Sequence, residues 1–211
     1  MNRNPSESMI CFDIGGVLVK ICQSWQEALA VASVPGILPP EPKLSLSVTT
    51  PLTQYQDGKI DFDGYLAKMG VYLGCSPAEA ARVHRAILID EYPGVFDLVK
   101  ELKERGHRTA CLSNTNAEHW EALTQPAIYP ALGLLDAQLA SHLLECSKPS
   151  DEILAKFEAI TSAERGSIYF FDDNADNVAS AIGFGWQAHR VDPFGDPAGQ
   201  MRAALQNWGL L

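Results

Sequence analysis

Three short apolar runs in this chain each stop at a cluster of polar residues, and that punctuation constrains the fold more than any other feature. Met9-Ile10-Cys11-Phe12 runs into Asp13-Ile14-Gly15-Gly16. Arg108-Thr109-Ala110-Cys111-Leu112 runs into Ser113-Asn114-Thr115-Asn116, and Ile168-Tyr169-Phe170-Phe171 into Asp172-Asp173-Asn174. Runs of this length bounded by turn formers have the size of buried strands. Strands without a polar face belong to parallel sheets covered on both sides. Between the runs the period changes to that of helices. Val95, Leu98, Val99 and Leu102 share a helical face ahead of Gly106, and Ser150 precedes a face of Ile153, Leu154, Phe157 and Ile160. A further helix leads to Gly185. Residues 134–140 and 186–191 predict two more strands, and Asp196-Pro197 opens a last helix with Met201, Ala204, Leu205 and Trp208 on one side. The alternation predicts an α/β fold, a Rossmann-like doubly wound parallel sheet with right-handed crossovers.

Residues 20–92 break the alternation. Their pattern is helical and carries no strand signal. Pro35, Gly36, Pro39, Pro40, Pro42 and Pro51 predict an irregular stretch in the first part. Asp57-Gly58 marks a surface turn within Gln56–Ile60. A helix follows from near Asp61 to Leu73. Another has Ser76 as N-cap, Pro77 at its first position and Glu79 closing a capping box. The segment is therefore expected to be a helical cap inserted after the first strand. The core domain is then residues 1–19 and 93–211, and the cap 20–92.

Composition narrows the partners. The 211 residues are 46% hydrophobic and 20% charged, as in globular chains, and the formal net charge is -10. No Lys/Arg run offers a phosphate backbone or an anionic membrane a footing. No stretch approaches the roughly 18 apolar residues of a membrane span. The five cysteines are scattered and form no CxxC pair, so reduced thiols in a cytoplasmic protein are expected. Met1 to Ser8 has no apolar run of signal-peptide length. A small anionic metabolite remains possible, because a metal or local cations override the global sign. A monomer or homodimer is expected.

In open α/β sheets ligands sit beyond the carboxyl ends of the strands, which is where the polar clusters fall. Asp13, Asp172 and Asp173 crowded together would repel one another unless a cation lay between them. Mg²⁺ suits that task, since it takes one or two carboxylates together with phosphate oxygens and water. Ser113 and Asn114 can donate to a phosphate, and Lys148, ahead of a helix, can neutralise one. Amides around Ile14 to Gly16 could form an anion nest. An aspartate beside a phosphate can attack it to give an aspartyl-phosphate.

Phe12-Asp13-Ile14-Gly15-Gly16-Val17-Leu18, Leu112-Ser113-Asn114-Thr115-Asn116, Ser147-Lys148-Pro149 and Phe170-Phe171-Asp172-Asp173-Asn174-Ala175-Asp176-Asn177 resemble, in order, the four motifs of the haloacid dehalogenase-like superfamily. Within it the chain resembles the bacterial α-D-glucose-1-phosphate phosphatase family. The resemblance covers nearly the whole chain and implies a Mg²⁺-dependent phosphatase with a helical cap. It makes Asp13 the nucleophile and a metal ligand, and gives the Gly15 carbonyl to Mg²⁺. One of Asp172 and Asp173 would bind the metal directly, Asp173 by preference, and the other through water. Ser113, Asn114 and Gly16 would hold the phosphate, with Lys148 balancing charge and Asn177 supporting the acidic pair.

Most phosphatases of that superfamily carry a second aspartate, a general acid, two residues after the nucleophile. Gly15 stands there instead. A general acid is worth about 10² to 10⁴ in rate. An anomeric sugar phosphate, whose leaving oxygen departs easily, fits the gap. So do a metal-independent haloacid dehalogenase and a non-enzymatic binding protein. Elsewhere, His84 is expected to be a solvated cap residue, and His107, His119, His142 and His189 form no ligand pair.

Overall fold

The computed structural model describes residues 7–36 and 50–211. Pro39, Pro40 and Pro42 lie outside the described residues. The chain runs through β1 (Met9–Phe12), β2 (Val19–Ile21), α1 (Trp25–Val31), α2 (Thr50–Gln56), α3 (Phe62–Leu73), α4 (Pro77–Arg85) and β3 (Leu88–Glu91). It continues through α5 (Val95–Glu104), β4 (Arg108–Ser113), α6 (Ala117–Leu123), α7 (Pro130–Gly133), β5 (Ala137–Ala140), α8 (Ser141–Leu144) and α9 (Asp151–Thr161). The last elements are β6 (Ile168–Asp172), α10 (Ala175–Phe184), β7 (Gln187–Arg190) and α11 (Pro197–Asn207).

Five strands form one parallel sheet in the order β5-β4-β1-β6-β7. β1 is central and its side chains alternate between two cores, as the period of a strand requires. Ile10 and Phe12 pack with Val95, Val99, Phe171 and Leu205 on one face, while Met9 and Cys11 pack with Ile153, Phe157, Phe170 and Trp186 on the other. Burying each large side chain stabilises the fold by about 1.5–3 kcal/mol. Both faces are thus covered, and the doubly wound α/β architecture is as expected. The register sets the site: Phe12 lies level with Cys111 on one side and Phe171 on the other. Asp13 and Asp172 therefore leave the sheet as neighbours, with Ser113 beyond the adjacent strand.

The inserted segment has its own core, built on Trp25, Leu52, Tyr55, Tyr65, Met69 and Val83. The capping box of Ser76 and Glu79 forms with Pro77 inside the first turn. Three details differ from the sequence reading. The insertion is not wholly helical, because β2 and β3 pair antiparallel where the chain enters and leaves it. Leu88-Ile89-Asp90-Glu91 is too short and too charged for that pairing to be seen in a run of hydrophobicity. Pro51 does not break structure: it sits in the first turn of α2, where no amide partner is needed. Ser150 occupies the N-cap of α9 without a side-chain cap bond, and Ile160 of the same helix is 57% exposed. All five cysteines are free, and among the described residues no helix is long and apolar enough to cross a membrane.

Candidate metal and phosphate site

The carboxyl ends of β1, β4 and β6 open into a cavity of about 670 Å³ under the insertion. Asp13, Gly15, Ser113, Asn114, Lys148 and Asp173 all line it. Ile21, Gln23, Thr53 and Gln56, from the segment between β1 and α5, line it as well. Oxygens of Asp13, Asp172 and Asp173 lie within 4.8 Å of one another. The Asp13 backbone N–H donates to the Phe171 carbonyl at 2.8 Å, which ties the end of β1 to the end of β6. Asp13 Oδ1 accepts from the Ile14 amide at 2.7 Å and faces Lys148 Nζ at 3.0 Å. Lys148, 4% exposed, also reaches Asp172 Oδ2 at 2.7 Å.

Three carboxylates against one ammonium leave two negative charges uncompensated. The consequences are visible in proton affinity. Burial, and then the neighbouring Asp172, push Asp13 up to about 6 against the pull of Lys148. Burial, Asp13 and Asp172 push Asp173 up to about 7. Burial works against the charge on Lys148, but the two carboxylates outweigh it and hold the ammonium above its usual range. Protonation or a divalent cation are the two ways to relieve such a cluster, and hard oxygen donors at this spacing suit Mg²⁺.

The two late carboxylates differ in surroundings. Asp172 is fully buried and wrapped: Asn177 Nδ2 donates to both oxygens at 3.1 and 3.0 Å, and the Asn174 amide donates to Oδ1 at 2.8 Å. Asn177 thus holds Asp172 in place. Asp173 instead faces the cavity. Arg190, at the end of β7, lines the same cavity and donates from Nε to the Asp173 carbonyl at 3.1 Å. The sequence reading missed Arg190, although the end of a parallel strand is where such a residue can be sought.

Two residues expected at the phosphate make other contacts in the structure. Gly16 is not free to bind anions, since its amide donates to the Val19 carbonyl at 2.8 Å and the Ile14 amide is spent on Asp13. Its importance is steric. Gly16 has φ +78, and a Cβ there would come within 2.5 Å of Asp173 Oδ2. Glycine is what lets Asp173 close on Asp13. Asn114 lines the cavity, but its side-chain amide clamps the Lys148 main chain, donating to its carbonyl at 2.8 Å and accepting from its amide at 2.9 Å. Asn114 therefore places Lys148. Ser113 Oγ has no hydrogen-bond partner among the described residues and lines the cavity. Position 15 presents no side chain, and a Cβ there would meet Ile21 Cδ1 at 3.0 Å.

The turn at Gln56–Ile60 is more than a surface feature. Gln56 Nε2 donates to the Asn114 carbonyl at 3.2 Å, and Ser141 Oγ donates to the Gln56 carbonyl at 2.7 Å. Ser147 Oγ bonds Asp57 next to Lys148. His84 is not solvated; it is fully buried and stacked on His119.

A family model for haloacid dehalogenase-like hydrolases matches residues 8–185. A HAD-like family hydrolase from Porphyromonas gingivalis superposes with a TM-score of 0.79 at 20% identity, covering 95% of this chain and 98% of that one. A HAD family enzyme from Bacteroides thetaiotaomicron in a magnesium complex gives 0.76 at 18% identity, over 93% and 99% of the two chains. An L-2-haloacid dehalogenase from Xanthobacter autotrophicus, with chloropropionic acid covalently bound, gives 0.61 at 19% identity, over 97% and 84%. At these identities the three are alike in fold.

Proposed function

This chain belongs to the haloacid dehalogenase-like hydrolases, and we propose that within them it is a Mg²⁺-dependent phosphomonoester hydrolase acting on a small phosphorylated metabolite through an aspartyl-phosphate. The observation that carries this reading is the cluster of Asp13, Asp172 and Asp173 with its uncompensated charge. A dehalogenase attacking carbon needs no metal, which would leave Asp173 crowded against Asp13 and Asp172 with no cation to relieve it. When bound, Mg²⁺ would screen the carboxylates and polarise the phosphoryl oxygens. Asp13, Asp173 and the Gly15 carbonyl would hold it directly, with Asp172 behind them anchoring Lys148.

The chain's own groups would then act as follows. The Ile14 amide and Lys148 fix Asp13 Oδ1, which leaves Oδ2 as the freer oxygen to attack phosphorus. Ser113 Oγ and Lys148 Nζ would take up charge on the transferring group. Nothing at position 15 protonates the leaving oxygen, so substrates with an acidic leaving hydroxyl are favoured. A sugar 1-phosphate, as in the bacterial α-D-glucose-1-phosphate phosphatase family, is the reading we prefer.

The test is a screen of phosphorylated metabolites, sugar 1-phosphates first, with Mg²⁺ and with chelator. We expect turnover that falls by at least about 10³-fold when the metal is removed, since a bound cation supplies several kcal/mol to such a transition state. Haloacid turnover in chelator would replace this reading with a dehalogenase. No turnover of any ester would leave a binding protein.

The metal role of Asp173 has a separate check. Gly16→Ala forces a methyl against Asp173. Mg²⁺ affinity, measured by titration calorimetry, is expected to weaken at least about tenfold, as when metal ligands lose their orientation. Unchanged affinity would remove Asp173 from the ligand set.

A further inference from the structure

A buried polar cluster outside the acidic site joins the cap to the core. His84 of α4 lies flat on His119 of α6, with ring centroids 3.9 Å apart and planes 4° from parallel. Asn116, the fully buried N-cap of α6, takes part in most of the bonds around them. Its Oδ1 accepts from the His119 backbone amide at 3.0 Å, which fixes the orientation of its side chain. His84 Nε2 lies 3.1 Å from that same oxygen and must therefore carry a proton. Complete burial disfavours the charged ring, so His84 Nδ1 is a lone pair that accepts from the Tyr65 hydroxyl at 2.9 Å. His119 Nε2 lies 2.8 Å from the His84 carbonyl, so it too carries its proton, and its Nδ1 accepts from Asn116 Nδ2 at 3.4 Å. One proton arrangement satisfies every member, with both rings neutral.

An apolar contact would join two domains at lower cost, because a polar group buried without its partner loses about 1–3 kcal/mol. Buried networks that are fully satisfied fix one arrangement instead. What this one fixes is adjacent to the chemistry. Asn116 is two residues from Asn114, which clamps the Lys148 main chain, and three from Ser113. His119 itself lines the cavity. We propose that His84 and His119 are positioning residues: through Asn116 they lock the cap onto the Ser113–Asn116 loop in the register that meets a phosphate. The proposal rests on the phosphatase reading above. Neither histidine is the missing general acid, as both nitrogens of each ring are already engaged. The titratable and charged groups facing the pair are Tyr65 of α3, Tyr55 of α2, and Arg85 paired with Glu118 across the interface.

The test compares wild type with His84→Asn and His84→Gln. Gln places an amide near the position of Nε2 and can still donate to Asn116; Asn is too short. Calorimetric binding of inorganic phosphate in Mg²⁺, well below the melting temperature, is the first readout, and KM against kcat the second. We expect His84→Asn to weaken phosphate binding and raise KM about tenfold with kcat changed less, and His84→Gln to recover to within about threefold, as one interdomain hydrogen bond is kept or lost. Phosphate affinity unchanged in His84→Asn, or equal loss in both variants, would overturn the proposal and leave a structural contact. If the variants do not fold, ¹H–¹⁵N spectra of wild-type histidines decide: two neutral Nε2–H rings down to about pH 5 are expected, and a ring titrating near the ordinary value of about 6.5 would refute the network. Phosphate binding and tautomer state do not require turnover, so an inactive wild type would sink the phosphatase reading alone.

Discussion

Asp13→Asn is expected to abolish turnover, by at least about 10⁴-fold, while leaving the melting temperature of the metal-free protein unchanged or higher. The loss follows from chemistry, because an amide oxygen is a poor nucleophile and removal of one from an active site of this kind commonly costs four to six orders of magnitude, roughly. The stability claim follows from charge. Asp13 is raised from 3.8 to about 6 in the fold, first by burial. A carboxyl whose folded pKa is raised favours its neutral form in the native state. Its contribution is fully present below 3.8 and is lost as pH rises through about 6. At pH 8 the ionised Asp13 therefore costs on the order of 3 kcal/mol, at about 1.4 kcal/mol per pKa unit. Asparagine keeps the shape and the acceptor for the Ile14 amide and removes the charge. Thermal melts at pH 8 and pH 5 check this, with the advantage of the variant shrinking at the lower pH. Retained turnover would mean that another residue is the nucleophile. A large drop in melting temperature would mean that Asp13 serves the fold.

The expected positions of Asp13, Ser113 and Asp173 were legible because strands read as apolar runs and parallel strands deliver their ends to one edge; Lys148 lies in the loop between α8 and α9 and was legible through its motif instead. Conformation and orientation were not. Gly16 looked like an anion nest because a positive φ and the proximity of Asp173 leave no mark on the sequence. Asn114 looked like a phosphate ligand because an amide side chain does not announce which way it faces. The pairing of β2 with β3 depends on two short segments far apart in the chain. His84 is a different case, since the signal was available. It lies four residues after Ala80, on the buried stripe of α4 that also holds Ala81 and Val83. Its polarity hid what its spacing displayed.

Lys148→Met gives the second large effect, and it separates support of the fold from support of the chemistry. Lys148 is 4% exposed, and its ammonium bridges Asp13 and Asp172. Methionine fills a similar volume but leaves the fully buried Asp172 without a countercharge. Breaking one partner of a buried pair costs about 3–5 kcal/mol. For a chain of this length that is a fall in melting temperature of roughly 10 °C. Turnover should fall by at least about 10³-fold, the range seen when a preorganised charge facing a transition state is removed. The double variant Lys148→Met with Asp172→Asn removes both charges together. It is expected to regain most of the stability, because replacing a buried pair as a unit is often close to neutral, while turnover stays lost. Recovery of both would make Lys148 a structural counterion alone. Recovery of neither would mean that Asp172 matters chiefly through its bonds to Asn174 and Asn177, which the amide only partly reproduces.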